Sequence, residues 1–593
     1  MRTEIRFLLA VVLMIAVLVV TNLMFPPVPP EERPGYQAPD SGAVAGPMQP
    51  VDSQGVAEGS GDQPFQIPPA EETGALTPPS DSAAEAAAAR PPPAGDPGQA
   101  AEEPPGDGEA RVHVEGPLYE FTFTNRGGRL LSARLLEFPS FTFEGPVELV
   151  SPESDGALGT RLLVGSDTLD LRNLIMEVDP PDRMRLSADG DPRSLRFRYE
   201  HPTHPFTYEV SYTFHPEGYI VDVAGNVSGL DARVVYTGLG NGIPFNEQRE
   251  EDDARASAYV LNHLREGIRA QPLDKVDGTR VEEGPFVWAA FKSKYFVLAI
   301  LAGAGEEEET YLGGVVVQDG PGEYDGRLTA AQSVKRDGSF AYRLFMGPQE
   351  FARLSQLGSD MQDVNPYGWK FFRPVIRPFV GIIMAILNFL HENLNLGYGW
   401  VLIVFGVLMR VVLFPLNQKA MRAQIKNMAV QPLIQEIQAK HKDNPEKLQK
   451  EMMKLYKDHG FNPLAGCLPM LLPWPVLITL FFVFQNTIAL RGVPFLWLPD
   501  LSAPDPYFIL PAFLGLSMFL LQWVSMKSMP QTNPQMKMMM YIMPVMMVFI
   551  FFQLASGLNL YYATANIATL PQQIFIARER KRAQAREPLK LGT

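Results

Sequence analysis

Residues Trp400–Leu416, WVLIVFGVLMRVVLFPL, are apolar from end to end except at Arg410. A helix of about 17–25 such residues spans a bilayer, so this stretch imposes a membrane fold on the chain around it. An arginine inside hydrocarbon costs about 3 kcal/mol or more, and a simple anchor has no need of that cost. Two readings follow. Either Arg410 faces a wet, protein-lined cavity and attracts something polar or anionic, or it snorkels to the headgroups. The polar pair Asn417–Gln418 lies about two turns away, within reach of a long side chain.

The other apolar runs build a larger membrane unit. Arg2 and Arg6 precede a run from Phe7 to Phe25 that ends TNLMFPPVPP, without the small-residue cleavage site of a signal peptide. It reads as a retained first span with its N-terminus in the cytoplasm. Later runs are expected to span at 396–416, 463–490, 507–524, 538–555 and 557–577. The last two come from Met538–Ile576, which as one helix would reach about 60 Å, twice the hydrocarbon thickness. It must therefore turn, near Ala555–Gly557. Six spans return the basic tail, residues 578–593, to the cytoplasm.

Between the first span and the rest lie two unlike regions. Residues 26–110 are rich in Pro, Ala, Gly and acidic residues and carry few large apolar ones, so they read as a flexible tether. From residue 111 to about 360 short alternating runs appear, among them LYEFTFTN, FTYEVSYTF and YIVDVAGNV. That pattern predicts an all-β sandwich, placed outside the cytoplasm by the first span. Residues 361–395 follow as an amphipathic segment. Its apolar part after Pro378 is too short to span, and Trp369, Lys370, Arg373 and Arg377 cluster at one end, which suits the membrane interface. Residues 417–462 are polar and basic, with apolar positions at helical spacing broken at His441–Pro445, which predicts a cytoplasmic helical hairpin.

The net charge of −15 conceals a split. Residues 361–593 hold 22 Lys and Arg against 11 Asp and Glu; the preceding residues hold 29 against 55. The acidic part argues against nucleic acid, and the basic charges lie in loops between apolar runs, as at a membrane surface. The single cysteine, Cys467, cannot form an intrachain disulfide. His201 and His204 in HPTH lack a third nearby ligand and make a weak metal set. The run Glu306–Glu309 reads as a solvated loop. There is no glycine-rich phosphate loop and no nucleophile motif, so neither an enzyme nor a cofactor is expected.

These parts, in this order, resemble the YidC-type membrane protein insertases of bacteria with two membranes. The resemblance rests on MRVVLFPL ending at Leu416, EMMKLYK (Glu451–Lys457), NPLAGCLP (Asn462–Pro469), DLSAPDPYFILP (Asp500–Pro511) and SGLNLYY (Ser556–Tyr562), and more loosely on FVWAAFKSKYF (Phe286–Phe296). It implies a polytopic α-helical protein with a five-span core (396–577) and a mutarotase-like sandwich without an assigned reaction. It also implies a hydrophilic groove, open to cytoplasm and lipid, in which Arg410 is the cation. Gln485, Gln522, Gln553, Asn559 and Asn566 are candidate lining residues, each with the alternative of an interhelical hydrogen bond. Trp474, Tyr561 and Tyr562 are implied as a hydrophobic slide. Hairpin residues Glu451, Met452, Lys454 and Tyr456, and tail residues Arg578, Arg580, Lys581 and Arg582, are implied to meet nascent chains, ribosome or targeting factors, beside the Sec translocon. Two departures stand out: Gly406 replaces a threonine of some members, and Pro473 a glutamine. The competing function is a secondary transporter with Arg410 as anion site, although matched inverted halves are not visible.

Overall fold

A computed structural model describes residues 108–586, apart from 152–153, 304–309, 366–372, 416–417, 419–436, 438–439, 442–443, 459–473 and 528–533. The first span, nearly all of the tether, Cys467, the acidic run near residue 306 and the hairpin's first arm therefore lie outside the described residues.

Among the described residues the alternating runs form nineteen strands between Arg111 and Pro348. Thr207–Phe214 (β10) shows why: TYEVSYTF alternates half-buried and buried residues along its whole length, as a strand with one core face must. β1 (Arg111–Glu115), β2 (Tyr119–Thr124), β3 (Leu130–Pro139), β4 (Pro146–Glu148) and β8 (Arg183–Arg185) make a five-stranded sheet; the others join a fourteen-stranded one. The two pack face to face through aromatic rings. Phe123 of the small sheet lies 5.2 Å from Tyr212 and 5.9 Å from Phe197 of the large one. Gly225 on β11 (Ile220–Ser228) faces Phe340 on β19 (Ser339–Pro348), whose ring occupies the space a Cβ would need. The large sheet also contains β15 (Thr279–Lys292), whose final run WAAFK is buried residue by residue. Among the described residues no group of three or more His, Cys, Asp or Glu gathers to hold a metal. His201 and His204 face each other, Nδ1 to Nδ1 at 3.2 Å, in an exposed turn.

Two short helices, α1 (Glu250–Ala256) and α2 (Phe351–Gln356), belong to the sandwich side. Beyond it come α3 (Arg373–Leu394), α4 (Tyr398–Pro415), α5 (Pro445–Asp458), α6 (Trp474–Asn486), α7 (Ile509–Met526), α8 (Pro534–Phe551) and α9 (Ser556–Arg586). Two of these, α4 and α7, are long and apolar enough to cross a membrane among the described residues; the apolar parts of α6 and α8 are shorter. The apolar run from Met538 onward is interrupted between Phe551 and Ser556. α3 buries Ile376, Val380, Ile383, Leu387 and Leu390 on one stripe and packs it against α6, while Ile382 and Phe389 are exposed. Asn444 caps α5: its Oδ1 accepts from the Lys447 amide at 3.0 Å. α9 packs on α6 and α7, and α8 on α7.

Candidate functional site

α4 carries two faces. Val401, Leu402, Phe405 and Met409 turn inward, and Val404, Val407, Val411 and Val412 are exposed. A row of exposed branched aliphatic residues on such a helix suits hydrocarbon, not water. Arg410 stands at the margin between the faces, half-buried, about 18 Å along the helix from Tyr398. Among the described residues, no ion pair or hydrogen bond reaches its guanidinium. Its nearest electrostatic neighbours are the phenols of Tyr561 and Tyr562 on α9.

The approach of α9 to α4 depends on Gly406, one turn before Arg410. A Cβ there would lie 3.3 Å from Thr564 Cγ2 and 3.5 Å from the Tyr561 carbonyl oxygen. Small residues at helix crossings let backbones come together in membranes. Thr564 fills the space that the missing threonine side chain at 406 would otherwise take.

Tyr561 is 2% exposed. Its ring lies 5.4 Å from Phe484 and 5.8 Å from Phe405, inside the bundle. Tyr562 is half-buried, packs edge-on to Phe551 at 5.4 Å, and donates its hydroxyl to the Leu477 carbonyl at 3.2 Å. The polar residues expected around Arg410 do not gather there as one group. Asn566 donates to Ser517 Oγ at 3.1 Å, an interhelical bond between α9 and α7. Gln522 donates to Met543 Sδ at 3.8 Å, and its Oε1 is buried without a partner. Asn559 pins the turn before α9 by donating to the carbonyls of Phe551 (3.0 Å) and Leu554 (3.5 Å). Gln553 lies in that turn, and its carbonyl accepts from Arg249 of the sandwich at 3.5 Å. Gln485 ends α6 with a buried, partnerless Nε2 on the same side. Glu451 is half-buried and Lys454 and Arg578 are exposed; the side chains of Met452, Tyr456, Trp474, Arg580, Lys581 and Arg582 lie outside the described residues.

A second arginine, which the sequence places only at the start of a loop, holds the sandwich to the bundle. The Arg491 side chain is 2% exposed, and its Nε meets Glu247 Oε1 at 2.7 Å. Its Nη2 donates to the Asn246 carbonyl at 3.3 Å, and its guanidinium sits 4.3 Å from the Phe141 ring centroid. Burial pushes the Glu247 carboxyl up to about 7, although the Arg491 cation pulls it down. Asp253, buried beside it, accepts from the amides of Asn246 (2.7 Å) and Glu247 (3.0 Å). The loop after Arg491 is tied to the start of α9: Gly557 N donates to the Leu501 carbonyl at 2.8 Å and Ser556 Oγ to the Ala503 carbonyl at 2.7 Å. One signal of Arg491 was available. A lone arginine between two spans on the outer side runs against the positive-inside bias.

An apolar bundle whose Arg410 has no partner among the described residues, with a large β sandwich clamped to one end, has the build of a membrane protein carrying an attached β domain. Residues 111–380 match the family described as YidC periplasmic domain, and residues 389–584 the family described as 60Kd inner membrane protein. The membrane protein insertase YidC of Chlorobium phaeovibrioides is 31% identical over 500 residues, covering 79% of this chain and 84% of that protein. That of Chlorobium luteolum is 28% identical over 603 residues, covering 95% and 93%. A crystal structure of an active YidC insertase with its first transmembrane domain resolved is 20% identical, covers 77% of this chain and 90% of that one, and has a TM-score of 0.31. The chain belongs to the YidC family of membrane protein insertases. It is a non-enzymatic insertase and chaperone of membrane proteins, multi-pass in the inner membrane, with its sandwich in the periplasm. None of these findings favours the transporter.

Proposed function

We propose that Arg410 is the cation of a hydrophilic groove that receives the polar, above all acidic, parts of an incoming membrane protein while its apolar segment leaves sideways into lipid. The observation that carries this reading is the guanidinium itself, half-buried in an apolar helix and unpaired among the described residues. A charge kept at a cost of about 3 kcal/mol in hydrocarbon is retained for something that passes it. A wet groove also shortens the apolar path that a polar segment must cross, and no nucleotide chemistry is needed.

On this reading the five spans of residues 396–577 enclose the groove, and a first span at 7–25 sets both termini in the cytoplasm. Asn566 and Gln522 belong to the lining or its support. Gln485, Gln553 and Asn559 belong to the closed periplasmic end. Tyr562 and Trp474, with the exposed valines of α4, form the slide, and Tyr561 backs it from inside. The hairpin at 417–462, through Glu451, Met452, Lys454 and Tyr456, and the tail, through Arg578, Arg580, Lys581 and Arg582, meet ribosome and targeting factors. The protein works alone or beside the Sec translocon.

Site-specific photocrosslinking during translation of a short membrane protein tests the route. Probes beside Arg410 and at Tyr562 are expected to capture the nascent apolar segment. A folded, active protein whose probes at both places capture nothing would refute the groove.

A further inference from the structure

Between the sandwich and the bundle lies a cavity of about 370 Å³. Its roof comes from the sandwich, through Lys292, Lys294, Arg255 and Asp252; its floor comes from the outer end of α6, through Phe482 and Gln485. Lys292 closes β15 and is only 7% exposed. An ammonium has three N–H donors to satisfy. That of Lys292 makes one long hydrogen bond, 3.4 Å, to the Ser293 carbonyl, and among the described residues no carboxylate lies within ion-pair distance. The nearest carboxylate, Asp253, is occupied by backbone amides. Burial pushes Lys292 down to about 8 while Asp253 holds it up. Across the cavity Gln485 presents a buried donor, Nε2, without a partner. Buried donors left unmet are costly, and a partnerless amide beside an ammonium with one long bond for its three donors marks a site for an acceptor.

The remaining charges fix the sign. Three cations and one carboxylate line the space. Asp252 is already paired with Lys294 at 3.3 Å and with Arg255 at 3.7 Å, so it neither neutralises Lys292 nor faces the cavity as a free anion. The position fixes the class of ligand. The cavity lies where the periplasmic domain rests on the outer ends of membrane helices, the level of phospholipid headgroups, and Phe482 gives it one apolar wall. Its volume falls within the usual range of about 300–1,000 Å³ for ligand sites.

We propose that this seam cavity binds a phosphate group, supplied by an anionic phospholipid headgroup or by free phosphate, with Lys292 and Gln485 donating to its oxygens. A bound headgroup would join sandwich, bundle and bilayer at one point, independently of Arg410.

The test uses the full chain, delipidated in maltoside detergent. Dihexanoyl phosphatidylglycerol binding is counted by native mass spectrometry. Inorganic phosphate binding is followed by thermal unfolding against chloride at equal ionic strength. The wild type is expected to bind saturably; Lys292→Met is expected to weaken binding about tenfold or more, and Gln485→Leu about threefold, as loss of a charged and a neutral donor should. Without ligand, Lys292→Met should unfold at the same or a higher temperature, because it removes a buried unpaired charge. Binding of both probes means that the phosphate group itself is recognised; lipid alone means that the apolar wall contributes; phosphate alone means a soluble anion site. Each supports the proposal if Lys292→Met or, should that variant not fold, Gln485→Leu diminishes it. Absence of binding, or binding that both substitutions leave unchanged, overturns it.

Discussion

Arg491 and Arg410 are both arginines among apolar residues, yet they are treated in opposite ways. The Arg491 side chain is 2% exposed and has an ion pair, a backbone acceptor and an aromatic ring. Arg410, half-buried, has no hydrogen bond or ion pair among the described residues. A buried charge that serves architecture is satisfied by the chain itself, because an unmet one is expensive. A charge without a partner among the described residues fits the proposed role of meeting a group that arrives from elsewhere. Pairing, more than burial, separates the structural cation from the one proposed to meet an incoming chain.

The largest effect expected from breaking this contrast is at the paired arginine. Arg491→Ala should cost about 3 kcal/mol, the low end for a severed buried pair, because Glu247 can take up a proton and escape being a bare anion. Thermal unfolding of the full chain, with limited proteolysis at the seam, would show it. Replacing both partners with Met and Leu should recover much of the loss; an Arg491→Ala protein as stable as the wild type would mean that the clamp is ornamental. Arg410→Ala should do the reverse. Its melting temperature should not fall, while insertion of clients with acidic external segments should drop about tenfold or more in a translation-coupled assay. Unimpaired insertion would remove Arg410 from the mechanism.

Gly406→Val probes what positions Arg410. A branched side chain meeting Thr564 should overpack the α4–α9 crossing at a cost of about 1–3 kcal/mol. Undiminished stability would show that the two helices can separate freely. The smallest effect concerns pH. Glu247 is raised from 4.5 to about 7, so the folded chain keeps a proton that the unfolded chain has lost. Stability should therefore decline as pH rises across that window and level off above it. Glu247→Gln should flatten this slope in part, leaving the share of Asp253, which burial shifts the same way. An unchanged slope would assign the pH response to other groups.

Much of this was legible in the chain, and the reason is local. The alternation in Thr207–Phe214 gave its strand, and the break in the long apolar run followed from bilayer thickness alone. Arg410 announced itself because nothing else in its stretch is charged. What was not legible depends on distance in sequence. Arg491 looked like the first residue of a loop because its partner, Glu247, lies 244 positions earlier. Gln485 and Gln553 line the cavity at the seam with the sandwich, a depth along the helices that composition, which reports polarity alone, does not give. Lys292 lies within FVWAAFKSKYF and nothing local sets it apart, since a lysine closing a strand ordinarily reaches water. Tyr561 and Tyr562 are adjacent in sequence and share an implied role, yet one faces the interior and the other is half-buried.

The ties at the seam have a mechanical meaning. Arg491, the Arg249 contact to Gln553, and the bonds from Ser556 and Gly557 to the preceding loop all fall at one end of the helices. Rods fastened together at one end can spread only at the other. The sandwich therefore acts as a clamp on one end of the bundle: it need not touch a passing chain to matter, because it sets where the loop after α6 and the start of α9 stand relative to each other.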